Sequence, residues 1–124
     1  MTHLFYQAYR QLVRFEICLR RGNFQGLCDR VRNCPLGRKP PQTRIIEQIS
    51  SAVDLASIWY PKQVLCLQRS AATACLLKAH GVHAQMVIGA QQLPFRAHAW
   101  VEVAGRVVND KPYTPEIYAV LDRC

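Results

Sequence analysis

No stretch of this chain approaches the roughly 18 uninterrupted apolar residues that a membrane-spanning helix needs, although 50% of its 124 residues are hydrophobic. The N-terminus, Met1-Thr-His-Leu-Phe-Tyr-Gln-Ala-Tyr-Arg10, lacks a basic flank followed by an apolar segment, so it does not read as a signal peptide. The expectation is a cytoplasmic protein without membrane insertion. No Cys-x-x-Cys occurs and no Cys/His set has zinc-finger spacing, so neither a structural metal nor a cofactor is expected. Disulfide frameworks belong to short secreted chains. Most of Cys18, Cys28, Cys34, Cys66, Cys75 and Cys124 are therefore expected to be free and buried as small apolar fillers. Acidic residues are scarce, 8 against 16 Lys and Arg, and the imbalance is local. Residues 1–44 hold nine basic residues against Glu16 and Asp29, a balance of +7, whereas 45–124 hold seven against six, a balance of +1. Such a field attracts nucleic acid, an acidic peptide or an acidic partner, or else it is simply a solvated helix face.

At this length one domain is expected, with a basic helical section over 1–44 and a core over 45–124. Phe5, Ala8, Tyr9, Leu12, Phe15 and Leu19 recur at helical spacing, predicting a helix over 4–19 that Gly22-Asn23 ends. Residues 24–31 read as a short second helix. Three prolines and Gly37 make 35–41 an irregular connector, either a hinge or a packed loop. Thr43 can cap a helix over 44–57 whose buried stripe is Ile45, Ile49, Ala52, Val53 and Ala56. Another helix is expected over 64–80, with Cys66 in its first turn and Gly81 as its stop. Beyond Gly81 the period changes to two, giving strands over 82–88, 97–102 and 106–110, with a loop over 89–96. Residues 111–115 read as a turn, and 116–122 as a short helix or strand. Helices first and a small sheet second make the class α+β.

The Val103-Ala104-Gly105 turn suggests a three-residue hairpin loop, with glycine in the left-handed position. In that register Glu102 faces Arg106, Trp100 faces Val108 and His98 faces Asp110 on one face of the sheet. A two-residue loop would instead set His98 opposite Lys111 and put Asp110 on the other face. The pattern suits nucleophilic catalysis. A thiol is a modest nucleophile until ionised, and the first turn of a helix favours the thiolate. Cys66 would be the nucleophile, His98 its general base and later acid, and Asp110 the group that fixes the histidine tautomer. The Cys66 N–H and the Gln63 side chain are candidates for binding the oxyanion. Arg69 and Ser70 are either supporting groups of that site or helix surface and cap. Trp100 is a core wall or a substrate platform, and Asn109 a turn residue. His3, His80 and His83 have no comparable company.

Three segments carry a resemblance. They are Cys66-Leu-Gln-Arg-Ser70, Gly81-Val-His-Ala-Gln-Met-Val-Ile-Gly89, and Pro94-Phe-Arg-Ala-His-Ala-Trp-Val-Glu-Val103 continuing through Gly105-Arg-Val-Val-Asn-Asp110. Together they resemble the transglutaminase-like cysteine peptidases of lasso-peptide biosynthesis, over about residues 60–111. The resemblance implies a papain-like arrangement of N-terminal helices against a small antiparallel sheet. It implies Cys66, His98 and Asp110 as the catalytic set. It also implies a precursor peptide as substrate, cut at its leader before a separate cyclase closes the ring, and a separate small leader-binding protein as partner. Docking of that partner, or of the leader, would give the basic section a use. Two alternatives belong to other classes: transglutaminase-like acyl transfer to an amine, and a non-enzymatic protein whose basic helices bind nucleic acid. The second lacks any recognition motif and leaves the 66–110 pattern unexplained.

Overall fold

The computed structural model describes residues 2–22 and 24–124. The apolar residues of the first segment form helix α1 (Thr2–Arg21), which buries Leu4, Ala8, Leu12, Phe15 and Cys18 and leaves Arg10, Arg14, Arg20 and Arg21 exposed. The stop expected at Gly22-Asn23 lies partly outside the described residues. Gly22 follows α1 and donates its N–H to Cys18 O at 2.8 Å. Helix α2 spans Phe24–Arg32. Helix α3 (Ile45–Trp59) buries the expected stripe of Ile45, Ile49, Ala52, Val53 and Ala56. Its N-terminus is not capped by Thr43, because Arg44 occupies the cap position with a left-handed backbone (φ 66°) and no side-chain cap bond. Helix α4 (Cys66–Ala79) is buried on almost every side, from Gln68 and Ser70 through Leu77. Its small residues allow close approach from α1, α3 and the sheet. At its end Gly81 (φ +86°) donates to Lys78 O and Val82 donates to Leu77 O, the paired closure that a left-handed residue after a helix permits.

The connector over 35–41 is a packed loop rather than a hinge. Gly37 donates to Lys78 O at 2.7 Å, and a Cβ at Gly37 would lie 2.3 Å from Ala79 O. The same approach brings Cys34 beside Cys75 on α4, and the two form a disulfide with Cα atoms 5.6 Å apart. Most of the six cysteines are free as expected, Cys18, Cys28 and Cys124 buried and Cys66 half-buried, and this pair is the exception. The short backbone separation is what allows it.

The sheet holds strands β1 (Ala84–Gln92), β2 (Phe95–Val103), β3 (Arg106–Val107) and β4 (Ala119–Arg123) in the order β3-β2-β1-β4. Its pairings are antiparallel. Helix α5 (Thr114–Ile117) precedes β4. The loop expected over 89–96 is mostly strand, because β1 and β2 pair through to Gln92 and Phe95 around a turn at Leu93-Pro94. Met86, Ile88, Ala99 and Val101 face the helices and join one buried cluster with α1, α3 and α4. Each large apolar side chain so buried contributes about 1.5–3 kcal/mol. His98, Trp100 and Glu102 alternate onto the opposite face. The class is α+β, as the order of periodicities indicated. Among the described residues no helix is long and apolar enough to cross a membrane.

Candidate active site

The hairpin register differs from the expected one. Glu102 pairs with Val107 and Val103 with Arg106, so the loop has two residues, Ala104 (φ 52°) and Gly105 (φ 78°). Two positive φ angles in succession make the tight turn that matches strand twist. Glu102 therefore does not face Arg106. It is buried and takes hydrogen bonds from Trp100 Nε1 (2.8 Å) and Arg123 (2.9 Å).

In this register a regular strand would carry Asp110 away from His98, but β3 stops at Val107. Val108 still donates to Val101 O at 3.0 Å. The returning bond is replaced, because the Val101 N–H is taken by the side-chain Oδ1 of Asn109 at 2.8 Å. The backbone bends over 108–110, and Asp110 arrives beside His98 by this bend instead of by strand pairing. His98 Nε2 donates to Asp110 Oδ2 at 2.5 Å. An ionised carboxylate only accepts, so the bond fixes the proton on Nε2 and leaves Nδ1 as an acceptor. Both side chains are about four-fifths buried, with 23% and 20% exposure.

Burial pushes the Asp110 carboxyl up. The His98 hydrogen bond, the Lys111 N–H on Oδ1 and the charges of His98 and Arg69 outweigh it and hold the carboxyl below its ordinary value. A carboxyl depressed on folding adds stability that is fully present above its unfolded pKa, near 4, and lost as pH falls through the folded value. The melting temperature is therefore expected to fall more steeply below about pH 4 in the native chain than in Asp110→Asn. Equal slopes in the two melting series would contradict this.

The His98 ring packs against Trp100 (6.1 Å between centroids) and Tyr118 (5.2 Å). Trp100 is fully buried and so forms a wall behind His98, not a surface for substrate. Gly89, paired with His98 across the sheet, keeps room for this stack. A Cβ there would lie 2.8 Å from both Trp100 Cη2 and Tyr118 Cβ. Gly89→Ala is expected to cost about 1–3 kcal/mol, visible as a lower melting temperature. It should also displace His98, since both rings that hold it must move. Unchanged melting would refute the packing argument.

Cys66 is the first residue of α4. Leu65 before it is extended and gives no side-chain cap, so the N–H groups of the first turn remain available to an anion. Ser70, one turn on, donates to Ala99 O at 3.0 Å and receives Asn109 Nδ2 at 3.1 Å. This ties α4 to the residue that follows His98 and to the 108–110 bend. Arg69 reaches the Asn109 carbonyl (3.5 Å) and Asp54 (3.6 Å), and its buried Nε has no partner among the described residues. Cys66 shares a surface cleft of about 520 Å³ with Gln63, Val64, Arg69, Asp54, Ser57 and Ile58. Among the described residues no hydrogen bond joins Cys66 to His98. The segment leading into α4 is anchored at Tyr60, whose hydroxyl donates to Glu16 on α1 at 2.5 Å. Burial, then that bond and the Glu16 charge, push the Tyr60 phenol up to about 12.

The structure thus brings His98 and Asp110 together and sets Gln63 and Arg69 in the Cys66 cleft. Asn109 and Ser70 do more than the sequence indicated. Their bonds cross between α4, β2 and the bend, and no local motif announces such contacts. A larger cavity of about 860 Å³, between 41–47, 81–83 and 103–104, holds none of these residues. Cys28, Asp122 and Cys124 place potential ligand atoms within 4.8 Å of one another, on elements that carry no part of the candidate site.

Residues 10–123 match the Transglutaminase-like superfamily. A segment of 47 residues is 45% identical to the microcin J25-processing protein McjB of Escherichia coli, covering 38% of this chain and 23% of that protein. The match therefore spans less than a quarter of the relative. No solved structure matches the chain. With the family match extending over nearly its whole length, around a helix-start cysteine and a His–Asp pair, the chain belongs to the transglutaminase-like superfamily.

Proposed function

We propose that this protein is a cysteine peptidase that removes the leader from a ribosomally made lasso precursor peptide through a thioester acyl-enzyme. The observation that carries the reading is the His98–Asp110 hydrogen bond at the sheet edge to which Ser70 ties the start of α4. The partial likeness to a microcin-processing protein supports the substrate class.

Cys66 gives its proton to His98 Nδ1, and the thiolate attacks the scissile carbonyl. The oxyanion is bound by the Cys66 N–H and the Gln63 amide. Collapse breaks the C–N bond, and the His98 imidazolium protonates the departing amine. His98 then takes a proton from water, which attacks the thioester and releases the carboxylate and the thiol. One peptide bond and one water become one carboxyl and one amino group. Asp110 stabilises the imidazolium throughout. Catalytic hydrogen bonds are often open in unliganded sites and tighten with substrate, which accommodates the unmade Cys66–His98 contact.

The partners proposed are the precursor, a separate leader-binding protein docking with the basic 1–44 section, and a cyclase acting on the product, all in the cytoplasm. The test is to incubate the precursor with this protein, with and without the leader-binding protein, and weigh the products. Two fragments that together exceed the precursor by one water support hydrolysis. A product carrying an added amine supports acyl transfer instead, and an intact precursor under both conditions refutes the reading.

A further inference from the structure

We infer that Cys28, Cys124 and Asp122 form a binding site for a thiophilic divalent cation of the zinc class, which clamps strand β4 to helix α2. None of these residues takes part in the proposed reaction, and the site stands whether or not the protein is a peptidase.

The sheet register places two of the three ligands. Cys124 exchanges both backbone bonds with Met86, at 3.0 and 2.7 Å, and Asp122 pairs with Ile88. Cross-strand partners share a face of the sheet, and Met86 and Ile88 face the helices. Asp122 and Cys124, two residues apart, therefore point to that same side. Helix α2 meets them there. It buries Leu27, Cys28 and Val31. Arg32 at its end reaches Asp122 (3.8 Å) and donates to the Arg123 carbonyl (3.2 Å). Two thiols and a carboxylate are thus gathered with their ligand atoms all within 4.8 Å of one another.

The spacing and the chemistry both point to a cation. A tetrahedral shell with zinc–sulfur bonds of about 2.3 Å and zinc–oxygen bonds of about 2.1 Å sets neighbouring ligand atoms roughly 3.5–3.8 Å apart, a geometry this cluster can close on. A disulfide needs about 2 Å, whereas Cys28 and Cys124 are free thiols. A role as apolar filler accounts for the thiols but not for the carboxylate beside them. Burial first, and the Asp122 charge among the lesser causes, push both thiols up, Cys124 to about 12. A divalent ion turns that repulsion into attraction. Its uptake releases the two thiol protons to solvent and forms two sulfur–metal bonds and one oxygen–metal bond, with no change of oxidation state. Two thiolates, a carboxylate and a divalent ion leave one negative charge, which Arg32 and Lys78 offset. Both of these line, with Cys124, an open cavity of about 680 Å³. The cavity gives the ion its way in, and water from it fills the fourth position. Sulfur ligands select the zinc class over magnesium and calcium, which take oxygen. Cys28 and Asp122 lie too far apart in sequence for any zinc-motif spacing to show the site.

The experiment titrates the full chain with Co²⁺ and then with Zn²⁺, anaerobically and without reductant, so that the Cys34–Cys75 bridge stays closed. Cys66→Ala is the background, which removes the half-buried thiol as a competitor. The expected result is one equivalent of bound cobalt, with a thiolate-to-cobalt charge-transfer band in the near ultraviolet and the visible bands of a tetrahedral site, all bleached by Zn²⁺. Zinc at about 100-fold above its Kd should raise the melting temperature by about 5–10 °C. Asp122→Asn changes a partly exposed side chain and should keep the fold. It should weaken cobalt binding by about 10-fold or more while the charge-transfer band is retained at saturation. Cys124→Ser should weaken binding further and lose part of that band. If Cys124→Ser does not fold, Asp122→Asn decides alone. A titration without a charge-transfer band overturns the site, as does unchanged affinity in either folded variant, which would place the metal elsewhere. A peptide map of the freshly isolated protein that joins Cys28 to Cys124 by a disulfide also overturns it.

Discussion

Cys66→Ala is expected to lower kcat for precursor cleavage by at least about 10⁴-fold, with a melting temperature within about 4 °C of wild type. The two halves of this expectation have separate causes. On the proposed mechanism no thioester forms without the sulfur, and the proposed oxyanion donors and His98 have no nucleophile to assist. The fold should tolerate the change because Cys66 is only half-buried at the first position of α4, where alanine is a good helix former. Cleavage that persists within 10-fold of wild type would remove Cys66 from the mechanism. Loss of cleavage together with loss of folding would be uninformative for the buried Cys18 or Cys28, which lie in the core. At Cys66 that confusion is not expected.

Asp110→Asn is expected to be nearly as damaging, lowering kcat by about 10²- to 10⁴-fold with a smaller effect on KM. Asparagine keeps the size and can still accept from Lys111 and from His98 Nε2. What it cannot supply is the negative charge that, on the proposed mechanism, stabilises the imidazolium formed when Cys66 is deprotonated, a charge Asp110 keeps under burial through His98, Lys111 and Arg69. Steady-state kinetics on the folded variant would decide the matter. A kcat above one tenth of wild type would reduce Asp110 to a structural partner of His98. In that case the short bond between them would reflect only packing around Trp100 and Tyr118.

The helices were legible because their spacing states which face is buried. All five residues expected on the inner stripe of α3 are there, and Gly81 closes α4 as its conformational freedom suggested. The hairpin was less legible. A glycine in the third loop position argued for three loop residues, whereas the chain tolerates alanine at a positive φ and makes the loop with two. Alanine pays about 1–2 kcal/mol there, so no residue preference would assign it. The contact between His98 and Asp110 was expected on the strength of that register, yet it forms in the other one. The replacement of a backbone carbonyl by the Asn109 side chain, anchored through Ser70, turns the chain at the needed point. Side-chain bonds between distant elements leave no periodic trace in a sequence. The Cys34–Cys75 bridge was hidden for a similar reason, since it depends on how the 35–41 loop lies against the end of α4.

The two candidate-site features that sequence and structure share, a helix-start thiol and a His–Asp pair, together predict a covalent intermediate at one atom. The direct measurement is intact-protein mass spectrometry of a reaction quenched in acid within the first turnover, followed by peptide mapping. The account predicts an adduct with the mass of the leader fragment less one water, joined to Cys66, released by hydroxylamine and missing from Cys66→Ala. Cleavage by wild type with the adduct on another residue, or continued cleavage by Cys66→Ala, would contradict it.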